Sequence, residues 1–321
     1  MLQAAYKDYI WGGSKLKNEY GKETNMDTLA EAWVCSTHSD GQSIIMDREF
    51  KGLTLGEVIT LHPEYLGTHP RIKDELPILV KLIDARKDLS VQVHPDDEYA
   101  KLYENGQFGK TEMWYVLHAD KDAKLVFGFK HDVSKDELKA SIKSGLVERH
   151  LRYVPVQKDD VFLIEAGTVH AIGKGIVIAE IQESSNLTYR IYDYDRVDKQ
   201  GYKRELHIDK ALAVAQLSSS MEPRQPMRVL NYRNGYASEL LGRCKYFQVE
   251  RMLLNTERYR AMADSKTGNN SFRVLLCVDG CGTLFGEDVL INFFKGDCIF
   301  IPANSVKLKM HGRAQLLSIG C

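Results

Sequence analysis

Between residues 90 and 98 the chain reads S-V-Q-V-H-P-D-D-E. Apolar Val91 and Val93 alternate with Gln92 and His94, which is the period-two pattern of a strand whose two faces differ. One face therefore carries an amide and an imidazole, and Pro95 closes the run. Residues 75–86 are almost continuously apolar, and Ile78-Leu79-Val80 with Leu82-Ile83 favours a strand over a buried helix. Further short β-rich runs, broken by Gly, Asp and Asn, fall at 125–129, 161–165, 175–182, 188–194, 247–254, 272–278 and 298–302. Helical patterning is limited. Residues 134–144 open with a capping-box-like S-x-x-E and end at Gly145, and 207–217 form a second helical stretch. Many short strands separated by turn signals predict a mainly β sandwich or jelly roll with a few short helices.

The polar, proline-containing stretch from Ser218 to Pro226 is the best candidate linker. It divides the chain into residues 1–220 and 227–321. An internal echo supports two related halves. The thirteen residues from Lys158 (K-D-D-V-F-L-I-E-A-G-T-V-H) align without gaps to those from Lys295 (K-G-D-C-I-F-I-P-A-N-S-V-K). The second copy, G-D-x-x-x-x-P-x-N, closely resembles the second motif of cupins. The first has Asp159 for the Gly and Glu165 for the Pro. The resemblance implies two cupin (jelly-roll) β-barrels. His170 of the first copy becomes Lys307 in the second, and a protonated amine cannot ligate a metal. A metal-binding domain over 1–220, with helical insertions, and a C-terminal cupin domain over 227–321 without metal ligands are therefore expected.

Composition narrows the class. The 321 residues are 44% hydrophobic and 27% charged, with 43 basic and 44 acidic side chains and a net charge of -1. Nothing there suggests a nucleic-acid groove. No apolar run approaches the roughly 20 residues that cross a bilayer, and no signal peptide is visible. The six cysteines are scattered, and Cys277/Cys281 lacks a second pair, so reduced thiols in a cytoplasmic protein are expected.

The polar face of residues 90–94 now acquires a chemical reading. Alternate residues of a small barrel fill its interior, and polar groups buried there cost several kcal/mol unless they are paired or coordinated. Gln92 and His94 need partners. Glu112, opening T-E-M-W-Y-V-L, and His170, after the A-G-T turn, are inward candidates. One amide oxygen, two imidazoles and a carboxylate suit Zn²⁺, Fe²⁺, Mn²⁺ or Co²⁺, which donor type alone does not separate.

These pieces together carry a resemblance. L-S-V-Q-V-H-P-D (89–96), G-K-T-E-M-W-Y (109–115), A-G-T-V-H-A-I (166–172) and T-Y-R-I-Y-D-Y (188–194) occur in order, preceded by I-W-G-G (10–13), A-E-A-W-V-C-S-T-H (30–38) and L-P-I-L-V-K-L-I-D-A (76–85). The chain resembles the type I mannose-6-phosphate isomerases of the shorter bacterial form. That resemblance implies one Zn²⁺ per chain on Gln92, His94, Glu112 and His170. It also implies an aldose–ketose isomerase moving a proton between C2 and C1 of mannose 6-phosphate and fructose 6-phosphate through a cis-enediol. The expected partner is a small sugar phosphate, with neither nucleic acid nor membrane, and the assembly a monomer or homodimer. Two departures stand out: Glu165 replaces the usual Pro, and Asn186 stands where Asp is expected.

Arg190 and Lys110 are the candidate catalytic cations. Arg190 can hold a phosphate or an enediolate oxygen in bidentate fashion; the bland alternative is an ion pair to Asp193 or Asp195. Lys110 lies two residues before Glu112, hence on the same strand face, or is a solvated loop lysine. Lys81, Ser90 and Trp11 are candidate substrate contacts. An isolated Lys81 among apolar neighbours should reach an anion or the surface, and Trp11 equally suits core packing. The base is sought among Lys110, Glu183, a zinc-bound water and His38. Rival readings are a metal-dependent dioxygenase cupin, against which Gln92 stands where a second histidine is usual, and a non-catalytic sugar-binding cupin.

Overall fold

Strand Val91–Val93 buries its two valines completely, in a core with Val126, Phe129, Leu138, Ile142, Leu151 and Leu212. Its apolar face thus meets helices Lys135–Lys143 and Ile208–Val214, and Gln92 is left on the opposite face. The computed structural model describes residues 1–69, 75–198, 200–224 and 228–321. The chain groups into two units. One holds Met1–Lys7, Ser14–Leu82 and Pro226–Cys321; the other holds Asp8–Gly13 and Ile83–Gln225. Gln225 and Pro226, at the end of the predicted linker, lie outside the described residues.

This grouping differs from the expected parts 1–220 and 227–321, because strands pair without regard to sequence distance. In the first unit Leu2 pairs with both Cys298 and Ile45, so the start of the chain joins the C-terminal sheet. That ten-stranded sheet runs Asn231–Arg233, Tyr236–Arg243, Gln248–Asn255, Leu308–Gly320, Arg273–Phe285, Cys298–Ile301, Leu2–Gln3, Ile44–Ile45. Ala263–Ser265 pairs onto Leu308–Gly320, and Leu290–Phe294 onto Arg273–Phe285. Leu275, Leu284, Ile299, Ile301, Leu308 and Met310 fill its core.

The second unit contains an antiparallel sheet in the order Tyr189–Tyr192, Val91–Val93, His170–Ala171, Lys124–Phe129, Leu151–Pro155. A second set runs Val161–Ile164, Glu112–Ala119, Ile176–Glu183. The long apolar run appears as strand Ile78–Ala85, wholly buried. The helix expected at 134–144 forms as Lys135–Lys143, with Ser134 Oγ accepting the Glu137 N–H at 3.2 Å. The one expected at 207–217 stops at Val214, because Ala215 is already extended.

The internal echo is structural as well as sequential. Strands Val161–Ile164 and Cys298–Ile301 occupy equivalent places in the two copies. The residues two before them, Asp159 (φ 74°) and Gly296 (φ 97°), are both left-handed, as are Gly167 (φ 87°) and Asn304 (φ 52°) three after them. Asp159 holds a conformation that costs a glycine nothing, and its carboxylate accepts a hydrogen bond from the Tyr115 hydroxyl. The chain is mainly β, with few helices, as its sequence predicts.

Candidate metal centre

Four strands and the loop between two of them deliver the polar side chains. His170 is the cross-strand partner of Gln92, and Arg190 is its partner on the other side. Directly opposed residues project from the same face of a sheet, so Gln92, His170 and Arg190 share a side. His94 follows at the end of its strand. Pro95 stops the ladder, and Asp96 caps helix Asp97–Tyr103 by accepting the Tyr99 N–H at 2.8 Å. The chain then returns through Gly109, whose α-carbon passes so close that an added Cβ would lie 2.5 Å from backbone atoms of Asp96 and Asp97. That approach lets the Lys110 N–H reach the Pro95 carbonyl at 3.0 Å. Glu112 opens the next strand, between Ile164 and Gln182. The A-G-T turn is tied to the site by the Gly167 N–H, which donates to the His94 carbonyl at 2.9 Å.

The side chains converge. His94 Nε2 is 3.1 Å from Glu112 Oε1, and His170 Nε2 is 4.0 Å from Glu112 Oε2. The Gln92 amide nitrogen lies 3.5 Å from His94 Nε2 and 3.4 Å from His170 Nε2; a half-turn of the amide presents its oxygen to the same point. Lys110 Nζ is 2.5 Å from Glu112 Oε1 and 3.2 Å from His94 Nε2. His94, Glu112 and His170 are buried, and Gln92 is partly so. His170 Nδ1 is held by the Thr168 carbonyl at 2.8 Å, which fixes Nε2 as the free donor atom of the ring.

Electrostatics fit a cation. Burial, then the neighbouring Lys110 ammonium, pushes the His94 imidazole down to about 3, so the ring is neutral. Burial also lowers His170. For Glu112, burial acts to raise its pKa, but Lys110, His94 and His170 outweigh it and hold the carboxyl well below the usual range. Two neutral imidazoles and a carboxylate are the forms that ligate a metal. Their donor atoms lie within 4.8 Å of one another. Glu112 Oε1, though close to two nitrogens, makes no well-directed hydrogen bond within the protein. An ionised carboxylate oxygen there, with the Lys110 ammonium as its charge partner, suits coordination of a cation.

The remaining predicted residues are distributed as follows. Ser90 is buried, and its Oγ accepts from Arg190 Nε at 3.3 Å; Arg190 also donates to the Glu205 carbonyl at 2.8 Å. The anions proposed as its structural partners are engaged elsewhere: Asp193 with Arg196 and Arg204, Asp195 with Lys203. Trp11 is buried beside Tyr9, with ring centroids 5.5 Å apart. Lys81 and His38 belong to the other unit. There Lys81 is buried, 3.8 Å from Glu31, with its ammonium over the Trp33 ring, and His38 packs edge-on against the same ring. Glu183, next along the strand from Gln182, projects from the face opposite Glu112. It accepts the Thr111 N–H at 2.8 Å.

Sequence reasoning passed over one acid. Glu180 lies two residues before Gln182, hence on Glu112's face. The Trp114 indole N–H sits between the two carboxylates, 2.8 Å from Glu112 Oε2 and 3.0 Å from Glu180 Oε2. The period-two relation to Gln182, itself opposite Glu112, was the available signal. Of the departures from the family pattern, Glu165 is exposed, and its carbonyl accepts the Thr168 N–H at 3.1 Å, so the turn closes without proline. At the echo of His170, Lys307 is largely exposed, 3.9 Å from Asp264.

Comparison with known proteins adds to this geometry. Residues 1–108 match the family model of the phosphomannose isomerase type I catalytic domain, and residues 238–320 that of the mannose-6-phosphate isomerase cupin domain. The chain is 36% identical over 316 residues to mannose-6-phosphate isomerase ManA of Bacillus subtilis, covering 98% of this chain and 96% of that one. It is 46% identical over 213 residues to the probable mannose-6-phosphate isomerase GmuF of the same organism, covering 66% and 67%. The crystal structure of the mannose 6-phosphate isomerase from Bacillus subtilis superposes with a TM-score of 0.89 at 32% identity, covering 99% of this chain and 98% of that chain.

Proposed function

The chain belongs to the type I mannose-6-phosphate isomerases, which are aldose–ketose isomerases, and on that premise we propose that Gln92, His94, Glu112 and His170 bind one Zn²⁺ for the interconversion of mannose 6-phosphate and fructose 6-phosphate. The proton moves between C2 and C1 through a cis-enediol. The bound ion supplies Lewis acidity, polarising the sugar carbonyl and stabilising negative charge on its oxygen.

The protein's own groups do the rest. Gln92 and His94 come from one strand and its end, and Glu112 and His170 from two others, so the centre is preorganised by the sheets rather than assembled on binding. Lys110, beside Glu112 and His94, holds an ammonium where an enediolate oxygen develops charge. Arg190, opposite Gln92 and steadied by Ser90 Oγ and the Glu205 carbonyl, grips a substrate oxyanion or phosphate through its remaining N–H groups. Glu180 is the inward carboxylate beyond the ligand set, and it carries the proton between the two carbons; Glu183, on the far face, does not. Catalysis resides in residues 1–220, and 227–321 form a cupin domain without metal ligands.

The observation that carries this reading is the convergence of two neutral imidazoles, a carboxylate and an amide, with Lys110 beside them. The test is metal analysis of the purified chain with an isomerase assay. One zinc per chain, required for turnover of mannose 6-phosphate, is expected. A fully active metal-free protein, or tight sugar-phosphate binding without isomerisation, overturns it.

A further inference from the structure

A second set of metal-type donors lies outside the Gln92–His170 cluster. His131 Nε2 is 3.0 Å from His150 Nδ1, their rings edge-to-face with centroids 5.2 Å apart, and Glu137 Oε1 is 4.0 Å from His150 Nδ1. One donor atom of each residue lies within 4.8 Å of the others. We propose that His131, Glu137 and His150 form a second divalent-metal site, taking Zn²⁺ or a similar transition-metal ion with water as the remaining ligand.

The donor set is the first argument. Two imidazoles and one carboxylate are a recurrent zinc triad. With zinc–nitrogen bonds of about 2.0–2.1 Å, tetrahedral angles put two ligand nitrogens roughly 3.3 Å apart. The His131–His150 separation is already within a few tenths of an ångström of that. The two ring nitrogens face each other, so a single proton bridges them as a hydrogen bond; a metal ion replaces that proton with little movement of either ring. Glu137 has the freedom to follow, because its side chain is about half exposed (52%).

The second argument is the framework. The Lys130 N–H donates to the His150 carbonyl at 2.9 Å, which clamps the two histidine-bearing segments together. Glu137 stands in the first turn of helix Lys135–Lys143, with its own N–H held by Ser134 Oγ. His150 closes the short helical turn Val147–Arg149, just before strand Leu151–Pro155. An ion here staples the helical excursion between Lys124–Phe129 and Leu151–Pro155 at both of its ends. Its role is thus structural, and it is independent of the function proposed above.

The test uses the full chain, equilibrated with Zn²⁺, desalted and analysed for metal. Two equivalents per chain are expected. His131→Ala and, separately, Glu137→Gln, both at exposed or half-exposed positions, should each bring this to one while isomerase activity persists. His94→Ala should lose the other equivalent and keep this one, so failure of either site is recognised on its own. Added Zn²⁺ should raise the Tm of the His94→Ala protein, and this rise should vanish when His131→Ala is combined with it. A single equivalent in the unaltered chain that His94→Ala removes, a second equivalent that survives both His131→Ala and Glu137→Gln, or one stripped by a single desalting pass overturns the proposal.

Discussion

Lys110 Nζ lies 2.5 Å from Glu112 Oε1, and both side chains are buried. A lysine so placed in an ordinary core is a neutralising partner and nothing more. Here it adjoins a carboxylate that also faces two imidazoles, so the ammonium and a divalent ion share one acceptor. Lys110→Met keeps the stem and deletes the charge. If the ammonium acts on substrate, kcat should fall by on the order of 10²-fold or more, the loss seen when one preorganised donor to a developing oxyanion is removed. Zinc content should be unchanged. A variant that keeps its kcat assigns Lys110 to charge balance alone.

Removing the metal should expose the cost of what it satisfies. Without it, the Glu112 carboxylate has only the Lys110 ammonium as charge partner, and the buried polar rings of His94 and His170 converge with no ion between them. Chelation should therefore abolish turnover and lower the Tm, and stoichiometric Zn²⁺ should restore both. At free zinc 100-fold above its Kd the linkage is worth about 2.7 kcal/mol. Calorimetric scans with and without chelator, paired with activity, check this. Full activity in a protein shown by elemental analysis to be metal-free contradicts it.

Arg190 is separable from the metal because it faces Gln92 across the sheet yet anchors on Ser90 and Glu205. Arg190→Ala should leave zinc bound and cut kcat/KM by roughly 10²-fold or more, reflecting the loss of a charge-assisted pair in a sheltered site. Arg190→Lys should recover little, since a single ammonium cannot reproduce the forked geometry. Unchanged turnover in Arg190→Ala removes it from the mechanism.

Which parts of this were legible in sequence follows from the period of the strand. Gln92 and His94 announced a polar face because Val91 and Val93 alternate with them, and the G-x-x-H after the first echo gave His170. Glu180 stayed hidden in a run of Ile and Val whose alternation is masked by burial on both faces. Glu183, the acid named among the base candidates, sits one residue past Gln182, and that offset turns its side chain to the other face. Strand Arg273–Phe285 was expected to end near Val278, because Asp279 and Gly280 signal a turn. The ladder instead shifts register between Cys277 and Asp279 and continues, with Gly280 at φ 76°. Residues 14–82 grouped with the C-terminal sheet because β pairing is non-local, which no local pattern encodes.

Glu183 provides a test in pH. It is buried, with Asp97 close by, and burial followed by the like charge of Asp97 outweighs the Thr111 N–H to push its carboxyl up to about 8 from 4.5. Below about pH 4.5 both folded and unfolded chains hold this proton, and the group does not tilt the balance. Between 4.5 and 8 the unfolded chain releases it while the folded chain keeps it, so folding loses stability steadily as pH rises. Above about 8 the penalty is complete. Glu183→Gln has no proton to lose, yet its amide oxygen still accepts the Thr111 N–H. Relative to the unaltered chain, its Tm should therefore rise progressively from pH 5 to pH 8 and level off above that. Thermal melts of both proteins across this range measure the difference directly. Parallel Tm–pH curves mean that Glu183 ionises normally in the folded chain, and that the carboxyl pair with Asp97 is not held in the buried, proton-sharing state.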